Sequence, residues 1–271
     1  MLFLVATPIG NLGDITYRAV ETLKNVDLIL CEDTRHAQIL LRHYDIVAPL
    51  VSYHKFNEAG REEAIVADLL QGKKIAMISD AGTPGIADPG ERLVARCVAE
   101  GIAIVPIPGA SAAITALSVS GLPTLPYQHI GFIPKKGQER ALALYKLMEY
   151  EGCSLCFESP HRIEELIKEI QSISPQRQLV LARELTKKFE EFLRGTAEEL
   201  LEHFKKFLVK GEMVLIVAPN QEEKVLTFSD PKEHMQYLMD TYGLSKNEAI
   251  KMTAQQSGRS RRDVYKELQG L

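Results

Sequence analysis

Three times in its first 112 residues the chain runs from a short apolar stretch through a glycine-bearing loop into a helical pattern. Leu2-Phe3-Leu4-Val5-Ala6 leads into Thr7-Pro8-Ile9-Gly10-Asn11-Leu12-Gly13-Asp14 and a helix pattern over 15–26. Lys74-Ile75-Ala76-Met77-Ile78 leads into Ser79-Asp80-Ala81-Gly82-Thr83-Pro84-Gly85-Ile86-Ala87-Asp88-Pro89-Gly90 and a pattern starting Glu91-Arg92-Leu93-Val94. Ile102-Ala103-Ile104-Val105 leads into Pro106-Ile107-Pro108-Gly109-Ala110-Ser111-Ala112 and an apolar helix up to Ser120. Continuous apolar runs of this length are what strands buried on both faces of a parallel sheet look like. Further runs at 27–31 and 50–53, with a helical pattern over 63–70, complete the alternation of a doubly wound α/β sheet. In such a sheet all three loops fall at the carboxyl edge of the strands, where ligands bind. Asp88, Pro89 and Glu91 read as N-cap, N1 and N3 of a capped helix.

A break follows, with three prolines and three glycines from Gly121 to Gly137. Beyond it strand patterns at 154–158, 178–182 and 213–217 alternate with helical ones at 138–150, 161–171 and 196–208, which predicts a second, partly antiparallel α/β domain. From Asp230 the strand signal stops and three short helices are expected over 231–241, 245–256 and 260–268, with Ser245 as an N-cap and Gly258 as a terminating glycine. The expected domains are 1–121, 122–226 and a helical basic tail, 227–271.

The formal net charge of −4 excludes a uniformly basic coat, yet residues 241–271 carry six basic residues (Lys246, Lys251, Arg259, Arg261, Arg262, Lys266) against three acidic ones. Such asymmetry suits a local phosphate contact. No apolar run nears the roughly 18 residues of a membrane span, and no basic leader precedes the first strand, so a cytoplasmic protein is expected. Cys153 and Cys156 have redox or zinc spacing, but no second pair is near; their alternation with Leu155 and Phe157 reads as a strand. No metal site is expected.

The ordered motifs Thr7-Pro8-Ile9-Gly10-Asn11-Leu12 with Asp14-Ile15-Thr16, Cys31-Glu32-Asp33-Thr34-Arg35, Ser79 to Gly90, Ile107 to Ala112, and Glu158-Ser159-Pro160-His161-Arg162 together resemble the rRNA small subunit methyltransferase I family of the tetrapyrrole methylase superfamily. The resemblance runs the length of the chain. It implies two α/β domains of the tetrapyrrole methylase type with the cofactor cleft between them, a small C-terminal helical module, a homodimer, and S-adenosylmethionine as methyl donor. The activity implied is methylation of the ribose 2′-OH of a cytidine in 16S rRNA, within the 30S subunit. The first loop is not the G-x-G-x-x-G of a dinucleotide fold, although the second strand ends in Glu32-Asp33.

Carried over residue by residue, the resemblance implies cofactor contacts from Pro8, Gly10, Asn11, Asp80, Ala81, Gly82, Thr83, Ile86, Ala87, Ser111 and Ala112, and from Phe157 and Leu185 further on. Candidates for orienting the substrate or taking its proton are the charged strand ends Glu32, Asp33, Arg35, Glu158, Arg162 and Glu184; each reads equally as an ion-pair partner, and the residues do not single out a base. Lys135, Lys136, Arg259, Arg261 and Arg262 are candidate RNA contacts, as are Lys187, Lys188 and Arg194. His161, after Pro160, is expected in the first turn of a helix. Two other readings use the same residues: a methylase of tetrapyrroles or other small molecules, and a non-catalytic module that binds RNA or the ribosome through its tail.

Overall fold

The computed structural model describes residues 1–220 and 230–269. The chain forms two compact units. The first is Met1–Ala116 with Glu184–Glu191; the second is Leu117–Arg183 with Phe192–Leu271.

The first unit holds strands β1 (Leu2–Val5), β2 (Leu28–Cys31), β3 (Leu50–Ser52), β4 (Ile75–Met77) and β5 (Ile104–Ile107), ordered β3-β2-β4-β1-β5. Every pairing is parallel. Side chains alternate across the sheet as the pleat requires. Val5, Ile29, Cys31 and Ala76 join the core beneath helices α1 (Tyr17–Lys24) and α2 (Thr34–His43). Leu2, Leu30, Ile75 and Met77 face α3 (Glu58–Leu70) and α4 (Glu91–Ala99) on the other side. Chain leaving β1 therefore passes over one face of the sheet and chain leaving the adjacent β4 over the other. That divergence opens a crevice at their carboxyl ends.

Helix α4 begins differently from its sequence signal. Its N-cap is Gly90, at φ +131° with no side-chain cap, so Asp88 is not the N-cap and no capping box forms with Glu91. Only Gly takes that backbone conformation without strain, and the loop ahead of it already carries a left-handed residue, Ala87, at φ +63°.

The second unit has a mixed sheet of β6 (Tyr127–Phe132), β7 (Cys153–Glu158), β8 (Leu179–Arg183), β9 (Glu191–Gly195) and β10 (Met213–Val217), ordered β6-β7-β10-β8-β9. β6 runs parallel to β7, and β10 antiparallel to both β7 and β8. The edge strands β6 and β9 escaped the sequence signal because half-exposed strands lack a continuous apolar run. Helix α5 (Ala112–Ser118) contains the change from the first unit to the second, and α6 (Gly137–Glu149), α7 (Ile163–Ile173) and α8 (Ala197–Lys206) belong to the second. Because α7 begins at Ile163, His161 lies in the exposed turn before it rather than in its first turn. Cys153 and Cys156 are buried strand residues, and with Cys31 and Cys97 they are free thiols.

The last helices, α9 (Pro231–Tyr242), α10 (Lys246–Gln256) and α11 (Arg261–Gln269), contribute Met235, Leu238, Tyr242, Ala249, Ile250, Ala254 and Val264 to the second unit's core. Gln138 links α6 to their first turn, donating to Gly243 O at 3.1 Å and accepting from Ser245 N at 2.6 Å. Tyr237 and Tyr242 both donate to Glu149. Ser245 caps α10, and Gly258 leaves it at φ +65°, as the sequence signals. The boundary expected at 226/227 lies outside the described residues.

Candidate active site

Each glycine-bearing loop of the first unit is tied to its neighbour. Thr7 and Gly82 exchange backbone hydrogen bonds of 2.9 and 3.1 Å, and the Thr7 hydroxyl donates to Ser79 O at 3.1 Å. Ser79, itself buried, donates to Gly82 O at 3.0 Å, which closes the turn from within. Thr83 reaches the third loop by donating to Ala110 O at 3.4 Å. The end of β2 joins through Asp33 N, which donates to Asp80 Oδ1 at 3.3 Å. The loops after β1, β2, β4 and β5 are thereby one cross-bonded edge, fixed before any ligand arrives.

That edge brings together Pro8, Gly10 and Asn11; Asp80, Ala81, Gly82, Thr83, Ile86 and Ala87; and Ser111 and Ala112. Leu185 joins them through Gly10: a Cβ there would lie 2.6 Å from the Lys187 side chain and 3.0 Å from Leu185 O. A site spread over residues 10 and 185 explains why sequence spacing could not reveal it. Phe157 is not on this edge; it belongs to β7 of the second unit, against the rings of His129 and Phe132.

A pocket of about 100 Å³ opens on the α2 side, lined by Thr7, Pro8, Gly10, His36, Ile39 and Asp80 among others. Sites that enclose a drug-sized ligand run from roughly 300 Å³ upward, so this pocket is too small to enclose one by itself. Within the loop after β4, Gly82 and Gly85 both have φ +81°; Gly82 is buried, with its N–H and C=O bonded inside the edge, whereas a Cβ on Gly85 would meet open space.

The candidate carboxylates differ in electrostatics. Burial pushes Glu32 up, Asp80 adding to the shift and His54 opposing it. Asp33 is held well below the usual carboxylate range by hydrogen bonds from the Arg35 side chain and backbone. Asp88, read from sequence as a cap, is pushed up to about 6 by burial, then by Glu32 and Asp80, with a Ser79 hydrogen bond opposing. Glu32 comes from the end of β2 and Asp80 from the start of Asp88's own loop, so no signal at Asp88 itself marked it. In the second unit Glu158 is fully buried and paired: Arg162 donates to it at 2.8 Å and Ser159 N at 2.8 Å. Arg162 also donates to Ile133 O. Glu184 pairs with Lys187 at 2.9 Å.

The shift on Asp88 predicts a pH dependence. Between the unfolded value near 3.8 and the folded value of about 6 the native state holds the extra proton, so stability falls as pH rises through that window. Asp88→Asn is expected to melt higher than the parent at pH 7, the difference vanishing below about pH 4. Thermal melts of both proteins across pH 4–7 check it; a constant difference would place the cost elsewhere.

Of the candidate RNA contacts, Lys135, Lys136, Arg259, Arg261 and Arg262 are all exposed in the second unit. Arg259 is paired with Glu267. Among the described residues no cluster of His, Cys, Asp and Glu could hold a metal ion, and no helix is long and apolar enough to cross a membrane.

Comparison with known proteins gives this geometry its family context. The family described as tetrapyrrole (corrin/porphyrin) methylases matches residues 1–201. The chain is 45% identical over 269 residues to "Ribosomal RNA small subunit methyltransferase I" of Halalkalibacterium halodurans, covering 97% of this chain and 93% of that one. It is 39% identical over 274 residues to the protein of the same name from Bacillus subtilis, covering 98% and 92%. Among solved structures, diphthine synthase superposes with a TM-score of 0.65 at 15% identity over 80% of this chain and 89% of that one. Uroporphyrin-III-C-methyltransferase from Thermus thermophilus does so with a TM-score of 0.56 at 18% identity, over 80% and 93%. At those identities the structural matches speak for the fold alone.

Proposed function

The chain belongs to the tetrapyrrole methylases and, within them, to the rRNA small subunit methyltransferase I family, and from that membership we propose that it transfers a methyl group from S-adenosylmethionine to the ribose 2′-oxygen of a cytidine in 16S rRNA. The observation that carries this reading is near-full-length identity to relatives named for small-subunit rRNA methylation, on a chain whose first sheet presents the cross-bonded loop edge.

When bound, the cofactor supplies an electrophilic methyl on a sulfonium. The chain's residues hold and orient. Backbone groups of Asp80 to Ala87 and of Pro8 to Asn11, with Ser111 and Ala112, grip the cofactor; Leu185 closes against Gly10. Fixing the reacting atoms in line is worth on the order of 7–11 kcal/mol in favourable cases. The hydroxyl proton needs an acceptor, and proton transfer is most efficient from a group poised near the working pH. Of the first unit's edge carboxylates, Glu32 and Asp88 have raised proton affinity, whereas Asp33 is engaged with Arg35. Glu32 and Asp88 are therefore our candidates for the acceptor.

Labelled S-adenosylmethionine, unmodified 30S subunits and free 16S rRNA test the reading. Label recovered in 2′-O-methylcytidine is the expected result, and the preferred RNA identifies the substrate as free or assembled. Cofactor binding without transfer to either RNA would favour a small-molecule methylase on the same fold. We also assign RNA contacts to the exposed basic residues of α11. Arg261→Ala with Arg262→Ala is expected to weaken RNA binding and reduce the slope of log K against log salt by about one unit per lost phosphate contact. An unchanged slope removes the tail from the interface.

A further inference from the structure

Three Phe or Tyr side chains of the first unit stand exposed: Tyr17 (98%), Phe56 (96%) and Phe189 (69%). All three lie at the carboxyl edge of the parallel sheet. Tyr17 opens α1 after the β1 loop, and Phe56 sits in the turn after β3. Phe189 belongs to Glu184–Glu191, the segment packed on Gly10 of the β1 loop. At the opposite edge the exposed large side chains Val47, Leu70 and Val98 are aliphatic, in the connections that lead into β3, β4 and β5.

Each ring has an exposed cation as its chain neighbour: Arg18, Lys55 and Lys188. Lys188 Nζ is 5.6 Å from the centre of the Phe189 ring, and Arg18 is steadied by donating to Pro106 O at 3.3 Å. The turn that carries Phe56 is held from within. Asn57 Oδ1 accepts from His54 N at 2.9 Å, Asn57 Nδ2 donates to Ser52 O at 3.1 Å, and Ser52 Oγ donates to Glu32 O at 3.2 Å. Phe56 is thus presented outward by a turn tied to the end of β3, which is itself bonded to the backbone of Glu32 at the end of β2.

Single exposed apolar residues are ordinary on a protein surface. Three ring–cation pairs at one edge are a different matter, since single-stranded nucleic acid is held by rings that stack on bases and cations that meet phosphates. The edge also carries Glu32, Asp33, Asp80 and Asp88, which repel phosphate, so the flanking cations are what permits a strand to approach. We propose that Tyr17–Arg18, Lys55–Phe56 and Lys188–Phe189 grip a single-stranded RNA segment across this edge. The inference rests on the RNA-methylation reading above and names the residues that position its substrate.

The chain contains no tryptophan, so Phe56→Trp introduces a single indole, which can be excited apart from the tyrosines. Titration with an unstructured oligoribonucleotide is expected to quench it through base stacking. In the otherwise unchanged full chain, Tyr17→Ala, Phe56→Ala and Phe189→Ala are each expected to weaken RNA binding fivefold or more, with S-adenosylmethionine affinity retained. Lys55→Gln and Lys188→Gln are each expected to lower the salt slope by about 0.7. Phe56→Leu, which keeps apolar bulk but loses the ring, should behave like Phe56→Ala. If it behaves like the parent, no base stacks on the ring and the proposal is overturned. A parent that methylates RNA while all three alanine variants bind it unchanged overturns the proposal and leaves the function standing. A parent that binds cofactor but neither binds nor methylates RNA overturns both.

Discussion

Replacing Arg162 with methionine is expected to lower the stability of the protein by about 3–5 kcal/mol. Glu158 is fully buried, and Arg162 is the cation that neutralises it at 2.8 Å. The same guanidinium bonds to Ile133 O, and Glu158 also receives Ser159 N, so the pair fastens the end of β7, the start of α7 and the residue after β6. Without the arginine a carboxylate is left buried and uncompensated, which costs far more than the net worth of the pair. The double variant Glu158→Gln/Arg162→Met should recover much of the loss, because the stranded charge is gone. Denaturant midpoints of the parent, both single variants and the double variant measure this. A loss under about 1 kcal/mol for Arg162→Met would mean the pair is not structural, and any loss of methyl transfer would then belong to a catalytic role. If the large loss is found, inactivity of the variant says nothing about catalysis.

The second large effect is expected at Gly90. Alanine there must adopt φ +131°, with its Cβ 2.7 Å from Met77 Sδ. The methionine side chain can yield, but the backbone strain remains, at about 1–3 kcal/mol. Relief comes by moving the loop that ends at Gly90, which carries Asp80 to Ala87. A displacement of roughly 1 Å in positioning groups can lower the rate about 100-fold. Gly90→Ala is therefore expected to lose about two orders of magnitude in methyl transfer while remaining folded. Gly85→Ala makes the comparison: at φ +81° it is strained as well, but its Cβ meets open space rather than Met77 Sδ, so a smaller loss of rate is expected there. Equal rates for Gly90→Ala and the parent would show that the loop's position is not set at this residue.

How much of this was legible beforehand follows from where the information lies. The central strands β2 and β4 could be read because burial on both faces makes each a local apolar run, whereas β3, at the sheet's edge with no buried residue, gave a weaker one. Ser245 and Gly258 could be read because a cap acts within four residues. Asp88 was misread because Asp-Pro-Gly-Glu satisfies a capping pattern locally, whereas Gly90's conformation is imposed by the loop and by Met77 beneath it. The raised proton affinity of Asp88 was illegible for another reason. Its causes, after burial, are Glu32, which the sheet brings in from the end of β2, and Asp80, eight residues back in the same loop. β6 and β9, at the edges of the second sheet, carry a weaker apolar signal than the strands between them. The pairing of Leu185 with Gly10 leaves no trace in spacing at all.

The excursion of Glu184–Glu191 also has a consequence for synthesis. The chain crosses between units after Ala116, after Arg183 and after Glu191, so the first unit is not a contiguous piece of the gene. A nascent chain emerging at about 5–20 residues per second presents Gly10 several seconds before Leu185 and Lys187 exist to pack against it. The loop edge is thus completed only after β6, β7 and β8 have been made, and a fragment ending at residue 116 lacks a wall of its own ligand site. The edge therefore matures late, when more than half of the polypeptide has been made.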